Sequence, residues 1–367
     1  MQRTTLLRRG LLSFGSAALV LSVASVAAEA STLNQNSSWT VNRSGTSTQY
    51  RVVAYGDSIY AGYYGSIFNA RRRAAPYVAG EYASIPWNAD VRVDRRAKSG
   101  AIASDIYNNK IIAERSYMQQ SAVRHVSFEM CGNDYLQARS SFNGQSGTCN
   151  YSPGNNALAN CTTYTQLAMQ AINQYAPAVA RKSVSNLYYP GYDADNALSN
   201  CTDSQTGQRV NKQDVFLAQL AASNWRTCNL AGTHGFGCAD SFADYMGADY
   251  DSNGDGAVDS VALRYVAGES EAAYVQRITV TLRSTIRDAN FHLASPSTSY
   301  DYLLSDNTHP TTFGTASHRS GLFGNSSGSS APQFSDGQVV GGKNPVWNQY
   351  GHERMGHSVS GFNPATP

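Results

Sequence analysis

The chain has 367 residues, 41% of them hydrophobic and 15% charged, with a formal net charge of +2. That is enough apolar material for a sizeable core, which sets the chain apart from disordered proteins. The near-balance of charge argues against nucleic acid as a partner, because affinity there depends on clustered Lys and Arg neutralising phosphates.

The first thirty residues carry Arg3, Arg8 and Arg9, then an apolar, small-residue stretch from Leu11 to Ala28, then Ala28-Glu29-Ala30. This is the layout of a signal peptide with an A-x-A cleavage signature, so cleavage is predicted before Ser31 and the protein is expected to be secreted, either extracellular or periplasmic. Arg8-Arg9 fits twin-arginine export, while Leu7 before the pair leaves the general secretory route equally open. The apolar stretch is too short and too rich in Ala, Ser and Gly for a stable membrane span. Its removal takes away three Arg and one Glu, leaving 25 basic and 25 acidic residues.

Residues 31–48, rich in Asn, Ser and Thr, read as an exposed lead-in. The strand-like run 51–54 then breaks at Gly56-Asp57-Ser58. A strand ending in Gly and handing a Ser to the next segment places a hydroxyl at a sheet's carboxyl edge, which makes Ser58 a candidate nucleophile. Arg71-Arg72-Arg73 reads as a solvated helix face. Further strands are predicted at 91–93, 123–128, 183–188 and 302–304, with helical patterns at 104–119, 157–180, 214–224 and 261–290. This alternation predicts an α/β fold, a three-layer α/β/α sandwich with a mostly parallel five-stranded sheet. Motif blocks follow the strands: Lys98-Ser99-Gly100-Ala101, Cys131-Gly132-Asn133-Asp134 and Asp306-Asn307-Thr308-His309. An Asp and a His three positions apart can supply both the base that deprotonates a Ser and the carboxylate that orients that base.

With these residues assembled, the chain resembles the GDSL, or SGNH, hydrolase superfamily, over about residues 50–315. The resemblance implies that Ser58 attacks, His309 is the base and Asp306 orients it. It also implies an oxyanion hole formed by the backbone N–H groups of Ser58 and Gly100 and the side-chain amide of Asn133. The chain departs from the family pattern at Ile59, where Leu is usual, and at Cys131, where a Gly is expected. The implied organisation is a catalytic domain over residues 49–317 and a Gly-, Ser- and Asn-rich C-terminal extension over 318–367. Disulfide-bearing insertions are expected at 141–156 and 193–259, set over the substrate entrance.

All six cysteines lie beyond residue 30, and an even count in an exported chain reads as disulfides whose pairing sequence cannot resolve. Cys149 with Cys161 would close a short loop and is the first choice, and Cys131 reads as a disulfide anchor beside the site. Between Asp251 and Asp259, oxygen-bearing side chains recur with the spacing of a calcium loop. Asp251, Asn253, Asp255 and Asp259 would be ligands with the Ala257 carbonyl, although Ala262 stands where a bidentate carboxylate is usual. Structural calcium and a metal-free acidic turn both fit, and catalysis itself needs no cofactor. His352 and His357 are five apart and would not share a helical face, so no zinc site is read there.

The expected function is a secreted carboxylic ester hydrolase, an esterase or lipase, taking a small-molecule, lipid or glycan ester and acting as a monomer. Two other readings stand beside it: a carbohydrate acetyl esterase acting on cell-wall or plant polysaccharide, and a calcium-stabilised secreted binding protein with a vestigial hydrolase site.

Overall fold

The computed structural model describes residues 35–62 except 44, 74–187, 201–246 except 211, and 263–288, together with 334–335, 338–339, 355 and 359–361. The signal peptide, the acidic loop at 251–259, the expected strand at 302–304, and Asp306 and His309 lie outside the described residues.

Strand β1 (Ser37–Val41) is followed by β2 (Gln49–Gly56), the short helix α1 (Ser58–Ala61), α2 (Ala75–Trp87) and β3 (Asp90–Ala97). After α3 (Ala103–Asp105) the chain continues as a π-helical turn, Ile106–Ile112, and then enters β4 (Val123–Phe128) and α4 (Gly132–Asn143). Next come β5 (Gly147–Thr148), α5 (Ser152–Tyr175), β6 (Arg181–Ser185), β7 (Cys201–Thr202) and β8 (Arg209–Val210). The remaining elements that bear on the site are α6 (Lys212–His234), β9 (Gly237–Ala239), α7 (Ser241–Met246) and α8 (Glu271–Asp288).

Among the described residues the main sheet has six strands in the order β1-β3-β2-β4-β6-β9, all parallel except the antiparallel edge strand β1. Side chains alternate across it. Val53, Tyr55, Val126, Phe128 and Val184 face one side and pack with Ile106, Ile172, Leu220 and Tyr274. Val52, Ala54, Val93, Ala97 and Ala239 face the other, beneath Tyr60, Tyr77, Ala79 and Val359. Burial on both faces is why β2 reads as a nearly continuous apolar run from Val52 to Tyr55.

Three expectations are corrected. Among the described residues alone the sheet has six strands rather than five: β9, at Gly237–Ala239, is an addition, and Ser37–Val41 leaves the expected lead-in to pair with β3, burying Val41 completely. Both are too short or too polar to show an apolar run, and pairing with a neighbour holds them in place. Residues 201–246, expected as part of an insertion, supply α6 and β9, which belong to the core. The disulfides are Cys149–Cys201 and Cys228–Cys238, whereas Cys131 and Cys161 are buried free thiols, so neither the Cys149–Cys161 pairing nor a disulfide at Cys131 is present. Loop length alone misled here: β5 and β7 run side by side in a small separate sheet, which brings Cys149 to Cys201 across 52 positions.

Candidate active site

The chain leaves β2 toward β3 on one side and leaves β4 toward β6 on the other. The crevice outside the carboxyl ends of β2 and β4 is therefore the topological switch point of the sheet, where α/β proteins bind ligands. Ser58 sits there.

The turn that presents it is closely specified. β2 must end at Gly56, because a Cβ at that position would collide with Glu129 Oε1 and lie 2.8 Å from Tyr60 Cβ. Asp57 caps α1, its Oδ1 accepting the Ile59 N–H at 2.8 Å, which satisfies one of the donors a helix start leaves orphaned. Gly62, left-handed at φ 71°, ends the helix after one turn. Ser58 is thus held at the head of a turn whose four residues are all buried.

The other two motif blocks meet this turn. After β3 the chain reverses through Gly100, whose φ of 74° favours a residue without a Cβ, and the Ala101 N–H donates back to the Lys98 carbonyl. After β4 the backbone at Cys131 takes φ 86° and starts α4. The position where the resembled family carries Gly therefore keeps a glycine-like conformation with a Cys in it, at a cost on the order of 1–2 kcal/mol. Asn133 ties the blocks together: its Nδ2 donates to Asp57 Oδ2 and to the Ala101 carbonyl, each at 3.0 Å. Asp134 does the same one residue on, its Oδ2 accepting the Ala103 N–H at 2.8 Å.

Beside this turn lies a small cavity, lined by Ser58, Gly132, Asn133 and Leu136 and, at and after the end of β6, by Ser185, Asn186 and Leu187. The wall after β6 is held by buried amides. Asn224 brackets Leu187 by accepting its N–H and donating to its carbonyl, and Asn186 donates to Asp240 and accepts the Phe242 N–H. Met355, from the expected C-terminal extension, is buried and lines the same cavity.

Of the residues singled out from sequence, Ser58 and Asn133 share this cavity, and Gly100 stands beside Ala101, whose carbonyl Asn133 holds. Both N–H bonds of the Asn133 amide are engaged within the protein, so donating to an oxyanion requires it to exchange one of these partners. Sequence reasoning missed Glu129, which is buried directly behind the turn with Oε1 accepting the Asp57 N–H at 2.6 Å. A carboxylate directly following an apolar strand was the signal available.

Burial dominates the electrostatics. Glu129 is held well above the usual carboxyl range by burial and by the adjacent Asp57. Burial raises Asp134 to about 6 against the opposing backbone hydrogen bonds. The Cys131 thiol is pushed up by burial and by its contact with Cys161, so it is no thiolate nucleophile at neutral pH. Among the described residues no group of three or more His, Cys, Asp or Glu is placed to hold a metal.

No protein-family profile matches the chain, and no curated protein is similar to it in sequence. Solved structures to which it is similar include a lipase from a goat rumen metagenome, 17% identical, covering 65% of this chain and 97% of that one with a TM-score of 0.41. An extracellular lipase from Streptomyces rimosus is 22% identical over 64% of this chain and 99% of its own, with a TM-score of 0.37. A member of the lipolytic protein G-D-S-L family from Veillonella parvula is 16% identical over 64% and 97%, with a TM-score of 0.34.

Proposed function

We propose that this chain is a secreted carboxylic ester hydrolase of the GDSL/SGNH type, working through an acyl-enzyme at Ser58. The observation that carries the reading is the position of Ser58: at the head of a one-turn helix, at the sheet's switch point, in one cavity with Asn133. In this reading Ser58 Oγ attacks the ester carbonyl carbon while His309 takes its proton and Asp306 orients the imidazole. Negative charge then develops on the former carbonyl oxygen, facing the Ser58 and Gly100 N–H groups. Asn133 joins them by exchanging its bond to Asp57 or to Ala101, and one such donor is typically worth about 3–4 kcal/mol of transition-state stabilisation. Collapse of this intermediate breaks the bond to the alkoxy oxygen, which leaves as the alcohol with the proton held by His309. Water, deprotonated by the same His, then releases the acid and restores Ser58.

The test is hydrolysis of para-nitrophenyl esters from acetate to palmitate by the mature protein and by Ser58→Ala. Ser58→Ala is expected to lower kcat by at least about 10³-fold with an unchanged thermal midpoint. A variant that keeps more than a tenth of wild-type activity removes Ser58 from the reaction. The chain-length profile separates an acetyl esterase from a lipase.

A further inference from the structure

Two buried carboxyl groups stand at the nucleophile turn, Asp57 as its cap and Glu129 behind it, and neither takes part in the bond changes above. Glu129 is 3% exposed and Asp57 1%. Asp57 is already an acceptor on both oxygens, Oδ1 from the Ile59 N–H and Oδ2 from Asn133 Nδ2. Glu129 accepts the Asp57 N–H through Oε1 at 2.6 Å, which sets its carboxyl against the residue that bears the other one. Two negative charges buried this close together would repel strongly, and one proton held between the carboxyls removes that repulsion.

We propose that Glu129 is a positioning residue that works as a neutral carboxylic acid, taking the Asp57 N–H and donating its own O–H to the Asp57 carboxylate. The proposal rests on the reading of Ser58 as the nucleophile, and it explains how the turn keeps a single negative charge. That single charge matters because Asp57 also holds Asn133: a second charge would tighten Asp57's grip on the amide and oppose the anion forming above it. Among the described residues, the titratable groups that face the Glu129 carboxyl are Asp57 and Tyr60 of the turn, and Asp134 of α4 faces Asp57. Gly56 is part of the device, since any side chain there would occupy the space of Glu129 Oε1.

Glu129→Gln tests this, because an amide reproduces a neutral acid and does not reproduce a carboxylate. A carboxyl raised in the folded state makes stability fall as pH rises above its unfolded pKa, because the folded protein must keep a proton the unfolded chain has released. The thermal midpoint of Glu129→Gln should therefore gain on wild type steadily from about pH 4.5 upward. At pH 7 the variant should retain ester hydrolysis within about threefold, and it should lack any alkaline fall due to ionisation of Glu129. A variant that is less stable than wild type by a pH-independent margin, or one that folds and loses tenfold or more in kcat, overturns the proposal. If the variant does not fold, the infrared carbonyl band of a protonated carboxylic acid decides on the wild type, read at about pH 8 where Asp134 is ionised. Presence of the band supports the proposal and its absence overturns it. The midpoint and infrared readouts need no substrate, so a wild type inactive on every ester would count against the esterase reading and leave the proton assignment standing.

Discussion

His125 offers the most quantitative prediction. It stands on β4 with its side chain buried, Nε2 hydrogen-bonded to Ser183 Oγ at 2.7 Å and Nδ1 without a partner among the described residues. Burial, helped by the nearby Arg181 charge, lowers its pKa from 6.5 to about 3. The folded protein therefore holds this imidazole neutral where the unfolded chain would bind a proton. The stability linked to that difference is fully present above the unfolded pKa and is lost as pH falls toward the folded value, at about 1.4 kcal/mol per pH unit. Between pH 6.5 and 4 the loss is roughly 3 kcal/mol, a large part of the 5–15 kcal/mol by which a domain is ordinarily stable. Gln at this position can keep a hydrogen bond to Ser183 and does not titrate. Urea unfolding of wild type and His125→Gln at pH 7 and pH 4 should show the difference between them shifting by about 3 kcal/mol in the variant's favour at the lower pH. Equal acid sensitivity in the two proteins would refute the reasoning, because it would mean that His125 is already charged or wet in the folded state.

Gly56→Ala should disturb fold and site together. Its new Cβ would press on Glu129 Oε1 and lie 2.9 Å from Tyr60 Cγ, so overpacking of about 1–3 kcal/mol is expected, with a loss on the order of 10²-fold in kcat/KM as Ser58 is displaced; a thermal midpoint and activity both equal to wild type would contradict the geometry of the turn. Thiol labelling should find Cys131 and Cys161 as the two reactive cysteines, accessible only after unfolding, with Cys149, Cys201, Cys228 and Cys238 blocked until reduction. Labelling of either thiol in the native protein would show that the wall behind Asn133 opens.

Much of the fold was legible in the sequence because it is written locally. Strand β2 announces itself as an apolar run from Val52 to Tyr55, since a parallel strand covered on both faces takes apolar residues at successive positions, whereas β3 and β4 intersperse valines with Arg, Asp and His, and β6 has Val184 alone. Gly56-Asp57-Ser58 is legible for a similar reason: a strand that must stop, a cap that must accept, and a short helix are all neighbours in sequence. The edges of the sheet are not written that way. Ser37–Val41 has apolar residues only at Trp39 and Val41, and Gly237–Ala239 is three residues long, so each becomes a strand only through the hydrogen bonds its neighbour offers.

At the site, the residue types came from the sequence and their states came from the tertiary structure. Ser58, Gly100 and Asn133 could be named from their blocks, whereas the engagement of both Asn133 N–H bonds by Asp57 and Ala101 is visible only once three loops meet. Nothing within five residues of Glu129 shows that it sits against Asp57, 72 positions away, and nothing near Cys149 shows that its partner is Cys201. Hydrophobic pattern and turn chemistry act over a few bonds and can be read along the chain. Protonation, disulfide pairing and left-handed strain at Cys131 depend on which distant groups share a dry, crowded space, and only the folded packing decides that.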